Sequence, residues 1–80
     1  MIKIYTKDNC PYCDMAKTLL TNKGIEFEAV KIGADITREA FMKTFPEVRS
    51  VPLAVVEEAE TVVEHIGGFK ELKIRYDGGE

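Results

Sequence analysis

The sequence is poor in the residues that most often mark a special environment. It has two cysteines, one histidine, three prolines and no tryptophan in 80 residues. Two cysteines cannot build the dense disulfide framework of a small secreted domain, and in a reducing compartment a lone pair does not persist as a purely structural bridge. A structural zinc site needs four ligands; Cys10, Cys13 and His65 are the only sulfur or imidazole donors, so no metal is expected in a monomer. Basic charge is not in excess, with 11 Lys and Arg against 14 Asp and Glu and a net charge of -3, which argues against a nucleic-acid partner. No apolar run approaches the roughly 20 residues of a membrane span, and the N-terminus lacks the apolar segment of a signal peptide. A cytoplasmic protein without a membrane partner is the expectation.

What is present suits a globular chain. Hydrophobic residues make up 45% and charged residues 31%. Eighty residues predict a single domain over 1–80, which should bury about 60% of the surface exposed by the unfolded chain.

Met1 to Tyr5 alternates Ile2 and Ile4 with Lys3 and reads as a strand. From Pro11 the apolar positions Tyr12, Met15, Ala16, Leu19 and Leu20 fall on one face of a helix. Pro11 suits the first helical position, and Asn22-Lys23-Gly24 supplies a stop. Ile25 to Ile32 returns to an extended pattern, giving a right-handed βαβ unit with parallel strands. Thr37 or Asp35 can cap a second helix carrying Ala40, Phe41 and Phe45, which ends near Pro46. Val51–Val56 predicts a third strand, 57–60 an acidic hairpin turn and Thr61–Ile66 a fourth strand. Gly67 and Gly68 open a last helix from Phe69 to about Tyr76. Met15, Met42, Phe41 and Phe45 read as core or near-core, and His65 as a strand surface residue. The order βαβαββα predicts an α/β fold with a four-stranded mixed sheet flanked by three helices.

Cys10 and Cys13 stand between the first strand and the first helix, the setting in which a Cys-x-x-Cys pair reads as a redox motif. With Cys10 as N-cap and Cys13 three residues on, their β-carbons are neighbours at a separation a disulfide can span. Unpaired helix N–H groups, the macrodipole and Lys7 all favour a thiolate on Cys10. Such surroundings lower a thiol pKa from about 8.5 into the range of roughly 3.5 to 7.5. Cys10 is the expected nucleophile. Cys13, facing the Ala16 and Leu20 side, is the expected resolving thiol that attacks a mixed disulfide on Cys10.

Three motifs then agree on a family. Tyr5-Thr6-Lys7 leading into Cys10-Pro11-Tyr12-Cys13 resembles the dithiol site of glutaredoxins; Arg49-Ser50-Val51-Pro52 resembles their Thr-Val-Pro segment, and Ile66-Gly67-Gly68-Phe69 their Gly-Gly motif. The resemblance runs from Ile2 to Tyr76 and is nearest to small bacterial and bacteriophage glutaredoxins. It implies a thioredoxin-like fold and a glutathione-dependent oxidoreductase that reduces protein disulfides and glutathione-mixed disulfides. No bound cofactor is implied, with glutathione as reductant and ribonucleotide reductase as a family-typical acceptor.

The resemblance also implies a glutathione site. Lys7 and Arg49 would meet the glycyl carboxylate, Val51 would pair with the peptide backbone beside a cis Pro52, and Tyr12 would pack on the tripeptide. Gly68, Phe69, Lys70 and Glu71 would hold the γ-glutamyl end, its carboxylate at the helix N-terminus and its ammonium on Glu71. Lys70 departs from the family pattern, standing where a hydroxyl or an acid is usual. Two other readings stay open: a redoxin reduced directly by thioredoxin reductase, and a glutathione-ligated iron–sulfur carrier, which Pro11 should disfavour by stiffening the loop.

Overall fold

A computed structural model describes residues 1–48 and 50–77. The elements are β1 (Ile2–Thr6), α1 (Pro11–Asn22), β2 (Phe27–Lys31), α2 (Arg38–Thr44), β3 (Leu53–Glu58), β4 (Thr61–Gly67) and α3 (Phe69–Asp77). The strands form one mixed sheet in the order β2-β1-β3-β4, with β1 parallel to β2 and antiparallel to β3, and β3 antiparallel to β4. This is the expected architecture.

Alternation along the two central strands sorts their side chains into two layers. Ile2 and Ile4 of β1 and Ala54 of β3 pack with Ala16 and Leu20 of α1 and Leu72 of α3. Tyr5, Leu53 and Val55 point to the other face and meet Phe41 and Phe45 of the α2 segment. There the rings of Tyr5, Phe41 and Phe45 lie 5.2 to 5.5 Å apart in tilted and edge-on contacts, which add to what area burial alone contributes. The polar edges are tied more weakly. Lys3 pairs with Glu57 at 2.8 Å, and Arg75 of α3 pairs with Glu64 of β4.

Element ends differ from expectation where a hydrogen bond decides them. The second strand starts at Phe27, not Ile25, because the Ile25 N–H donates to the Leu20 carbonyl and still belongs to the end of α1. Thr37, not Asp35, caps α2, its hydroxyl accepting from the Ala40 N–H at 3.0 Å. Asp35 instead accepts from the Lys31 N–H. The third strand begins at Leu53, after Pro52, which has no N–H for a ladder. It runs on to Glu58, because the Glu57 N–H donates to the Met1 carbonyl. The hairpin turn shrinks to Ala59 and Glu60, both left-handed, with φ of 52° and 63°. Two positive φ values are what a two-residue loop needs to match strand twist.

Two core assignments are corrected. Met15 and Met42 are 44% and 53% exposed, while Phe41 and Phe45 are buried as expected. Met15 precedes Ala16, which takes the inward position on α1, and Met42 follows Phe41, which does so on α2. A neighbour one position away on a helix points about 100° aside.

Leu72 has no accessible surface, and Ile74, two residues on, is 55% exposed. Leu72→Ala should lower unfolding free energy by about 2–5 kcal/mol, and Ile74→Ala by no more than about 0.5 kcal/mol. Urea unfolding of the two variants checks this.

Candidate active site

The site forms where β1 hands the chain to α1. Asn9 takes a left-handed conformation, φ 55°, which asparagine tolerates better than most residues. Cys10 then sits in extended geometry as the N-cap of α1, with Pro11 as the first helical residue. The Asp14 N–H donates to the Cys10 carbonyl at 3.2 Å, and the Cys13 N–H points at Cys10 Sγ, also at 3.2 Å. Sulfur thus fills the role a serine or aspartate oxygen usually has at a helix start. An anion on that sulfur gains from the N–H and from the helix dipole.

Cys10 and Cys13 are joined in a disulfide, their α-carbons 5.2 Å apart. Cys13 is 1% exposed and Cys10 8%. Both residues are buried, Cys13 the more completely. Tyr12, between them, is 61% exposed and turns its ring towards Phe69 of α3 at 6.3 Å between centroids.

Two distant segments reach the pair. The Val51–Pro52 peptide bond is cis, as the resemblance implies, and the Val51 carbonyl oxygen lies 3.9 Å from Cys10 Sγ. A β-carbon built on Gly68 would stand 3.4 Å from the Pro52 carbonyl oxygen, so these two backbones run side by side. Cys10 meets Val51, Pro52 meets Gly68, and Tyr12 meets Phe69. The three motifs converge.

Glu71 is already engaged at the Gly-Gly end. Its Oε1 accepts from the Gly68 N–H at 2.8 Å, the glutamate half of a capping box on α3, the other half being absent because Gly68 has no side chain. Its side chain also lies over Gly67, whose φ is +121° and whose added β-carbon would stand 2.7 Å from Glu71 Cγ. Lys70 is exposed and makes no ion pair among the described residues. Arg49 lies outside the described residues.

On the other side of Val51 opens a groove of about 570 Å³, lined by Lys7, Ile32, Arg38, Phe41, Met42, Pro46, Val48, Ser50 and Val51. Its size is ordinary for a small-molecule site. Lys7 was expected here; Arg38 and Met42 were not. Arg38 is the first residue of α2, and Met42, four residues on, shares its face. The pattern of α2 marks Phe41 as inward but leaves open which partner flanks its outer side, so no sequence signal singled these two out. Among the described residues no cluster of His, Cys, Asp and Glu could hold a metal ion, and no helix is long and apolar enough to cross a membrane.

A thioredoxin-like sheet with a Cys-x-x-Cys disulfide at the first helix and a cis-proline beside it defines a thiol–disulfide oxidoreductase. Residues 2–59 match the glutaredoxin family, and the chain belongs to it. It is 34% identical over 71 residues to glutaredoxin 3 of Escherichia coli, covering 89% of this chain and 80% of that one. It is 34% identical over 80 residues to a glutaredoxin of Neisseria meningitidis, covering 98% and 88%. The solution structure of a glutaredoxin from Brucella melitensis superposes with a TM-score of 0.72 at 34% identity, covering 98% of this chain and 79% of that one.

The crowding at Gly67 yields a stability prediction. Gly67→Ala forces both a positive φ on an L-residue and a collision with Glu71, and should lower stability by more than about 1 kcal/mol. Denaturant unfolding beside Gly24→Ala checks the role of the collision, because a β-carbon on Gly24, also left-handed at φ +69°, meets nothing within 4 Å. The Gly67 variant should be the less stable of the two.

Proposed function

We propose that this chain is a dithiol glutaredoxin that takes electrons from glutathione and reduces glutathione-mixed and protein disulfides. The observation that carries the reading is the three-way approach of Cys10, Val51 and Gly68, with cations on the Val51 side and backbone N–H groups on the glycine side. Glutathione has a glycyl carboxylate at one end and an α-carboxylate with an ammonium at the other. Lys7 and Arg38, with Arg49 two residues before Val51 in sequence, would take the first; the start of α3 would take the second. Val51 would pair with the tripeptide main chain in the manner of an added strand. Tyr12 and Phe69 would form its apolar floor.

The chemistry is two exchanges. Cys10 thiolate attacks the glutathione sulfur of a mixed disulfide; a new S–S bond forms to Cys10 and the substrate leaves as a thiolate. A second glutathione thiolate attacks that glutathione sulfur, freeing Cys10 and producing oxidised glutathione. With a protein disulfide, Cys10 forms a mixed disulfide with one substrate sulfur, and Cys13 attacks Cys10 Sγ to release the reduced substrate and leave the bond present here. Glu71 must leave the Gly68 N–H to meet the γ-glutamyl ammonium, or hold both at once; Lys70 adds a cation beside the α-carboxylate. The setting is the cytoplasm, the working unit a single-domain monomer, and ribonucleotide reductase one disulfide acceptor of the required kind.

Turnover of a glutathione-mixed disulfide, coupled through glutathione reductase to NADPH oxidation, tests the reading. The wild type should be active. Cys13→Ser should keep deglutathionylation and lose protein disulfide reduction, and Cys10→Ser should lose both. No turnover by the wild type would sink the proposal. Reduction by thioredoxin reductase without glutathione would transfer the chain to the redoxin class. A coloured cluster after anaerobic reconstitution would point to iron–sulfur transfer.

A further inference from the structure

The groove beside Val51 combines cationic and apolar lining residues. Lys7 and Arg38 are its cationic lining residues and make no ion pair among the described residues. Beside them are the apolar residues Phe41, Met42, Pro46 and Val48, with Met42 one helical turn from Arg38. Phe41 is 5% exposed and locked in the aromatic cluster, but Met42 beside it is 53% exposed, a flexible thioether with no covering group. Glutathione ends at its glycyl carboxylate and has no apolar side chain to place there. A polypeptide has the reverse problem. It can reach the apolar wall, but its main chain brings no carboxylate to Lys7 and Arg38 unless a side chain supplies one.

We propose that this groove selects polypeptide mixed disulfides in which the reacting cysteine is followed first by an acidic residue and then by an apolar one. The inference rests on the glutathione reading, which sets the direction: the residue after the cysteine lies on the Lys7 and Arg38 side. The acidic side chain then replaces the glycyl carboxylate, and the next residue covers Met42. Val51 contributes main-chain pairing whatever the sequence. Specificity among protein substrates comes from the groove, because charge complementarity acts mainly on encounter rate and on rejection of wrong partners.

Short peptides test this directly. Acetyl-Gly-Cys-Asp-Leu-amide and its Cys-Lys-Leu and Cys-Asp-Ser counterparts are each prepared as the mixed disulfide with thionitrobenzoate. Cys10 of the reduced protein attacks the peptide sulfur, the new S–S bond joins peptide to Cys10, and thionitrobenzoate leaves as a coloured thiolate. Rates are divided by those with dithiothreitol at the same pH to remove intrinsic reactivity, and the glutathione–thionitrobenzoate disulfide is run alongside.

The Cys-Asp-Leu peptide should react about tenfold faster than Cys-Lys-Leu at low salt, and the ratio should collapse in about 1 M salt. It should also outpace Cys-Asp-Ser by about threefold, an advantage that Met42→Asp removes. Arg38→Glu should invert the preference between Asp and Lys peptides. Equal rates for all three peptides, with the glutathione disulfide still reacting, would overturn this inference and leave the glutathione reading standing. An acidic preference without the apolar one would do the same, and so would rates that fall as protein concentration rises, the mark of a second copy filling the groove. No reaction with the glutathione disulfide either would count against the underlying reading.

Discussion

The site depends on one hydrogen bond, from the Cys13 N–H to Cys10 Sγ at 3.2 Å. Through it the same atom is both helix cap and one half of the disulfide. The start of α1 and the cysteine pair are thereby one structure. The bond holds Cys10 at the rim while Cys13, three residues into the helix, falls on the inward face with Ala16 and Leu20. The unequal burial of two chemically identical residues follows from that placement.

The sheet explains why distant segments meet there. With β1 at the centre beside β3, the C-terminal end of β1 and the N-terminal end of β3 lie at the same edge, since the two strands run antiparallel and Tyr5 pairs with Leu53. Whatever follows β1 must therefore stand beside whatever precedes β3. Those are Cys10 and Val51–Pro52. The C-terminal end of β4 reaches that edge too, through the pairing of Gly67 with Ala54, and delivers Gly68 and α3. Leu72 anchors α3 among Ile4, Leu20 and Ala54 and so fixes the distance between its start and the cysteines.

Much of this could be read from residue order. The cysteine pair, Pro11 at the first helical position and alternation in β1 are local signals with local causes, and the structure places them as expected; the glycine pair stands one residue differently, with Gly67 ending β4 and only Gly68 preceding α3. Other features depend on the tertiary fold. Met15 and Met42 are apolar neighbours of inward residues, and only the direction of the helix face separates them from the core. Arg38 faces the groove because α2 packs through Phe41 and Phe45 against Tyr5, a relation between segments over thirty residues apart. The hold of Glu71 on Gly68 is different again: its spacing is that of a capping box, yet the motif resemblance drew attention to a ligand instead of to the helix itself.

The claim that the cysteines, the cis-proline loop and the glycine pair work as one glutathione site is tested most directly by amide NMR of Cys13→Ser carrying glutathione on Cys10. Relative to the same variant without glutathione, shifts should concentrate at Lys7, Val51, Gly68 and Lys70, with a further change at Arg38. Shifts confined to the immediate neighbours of Cys10, with Val51 and Gly68 unmoved, would contradict the account.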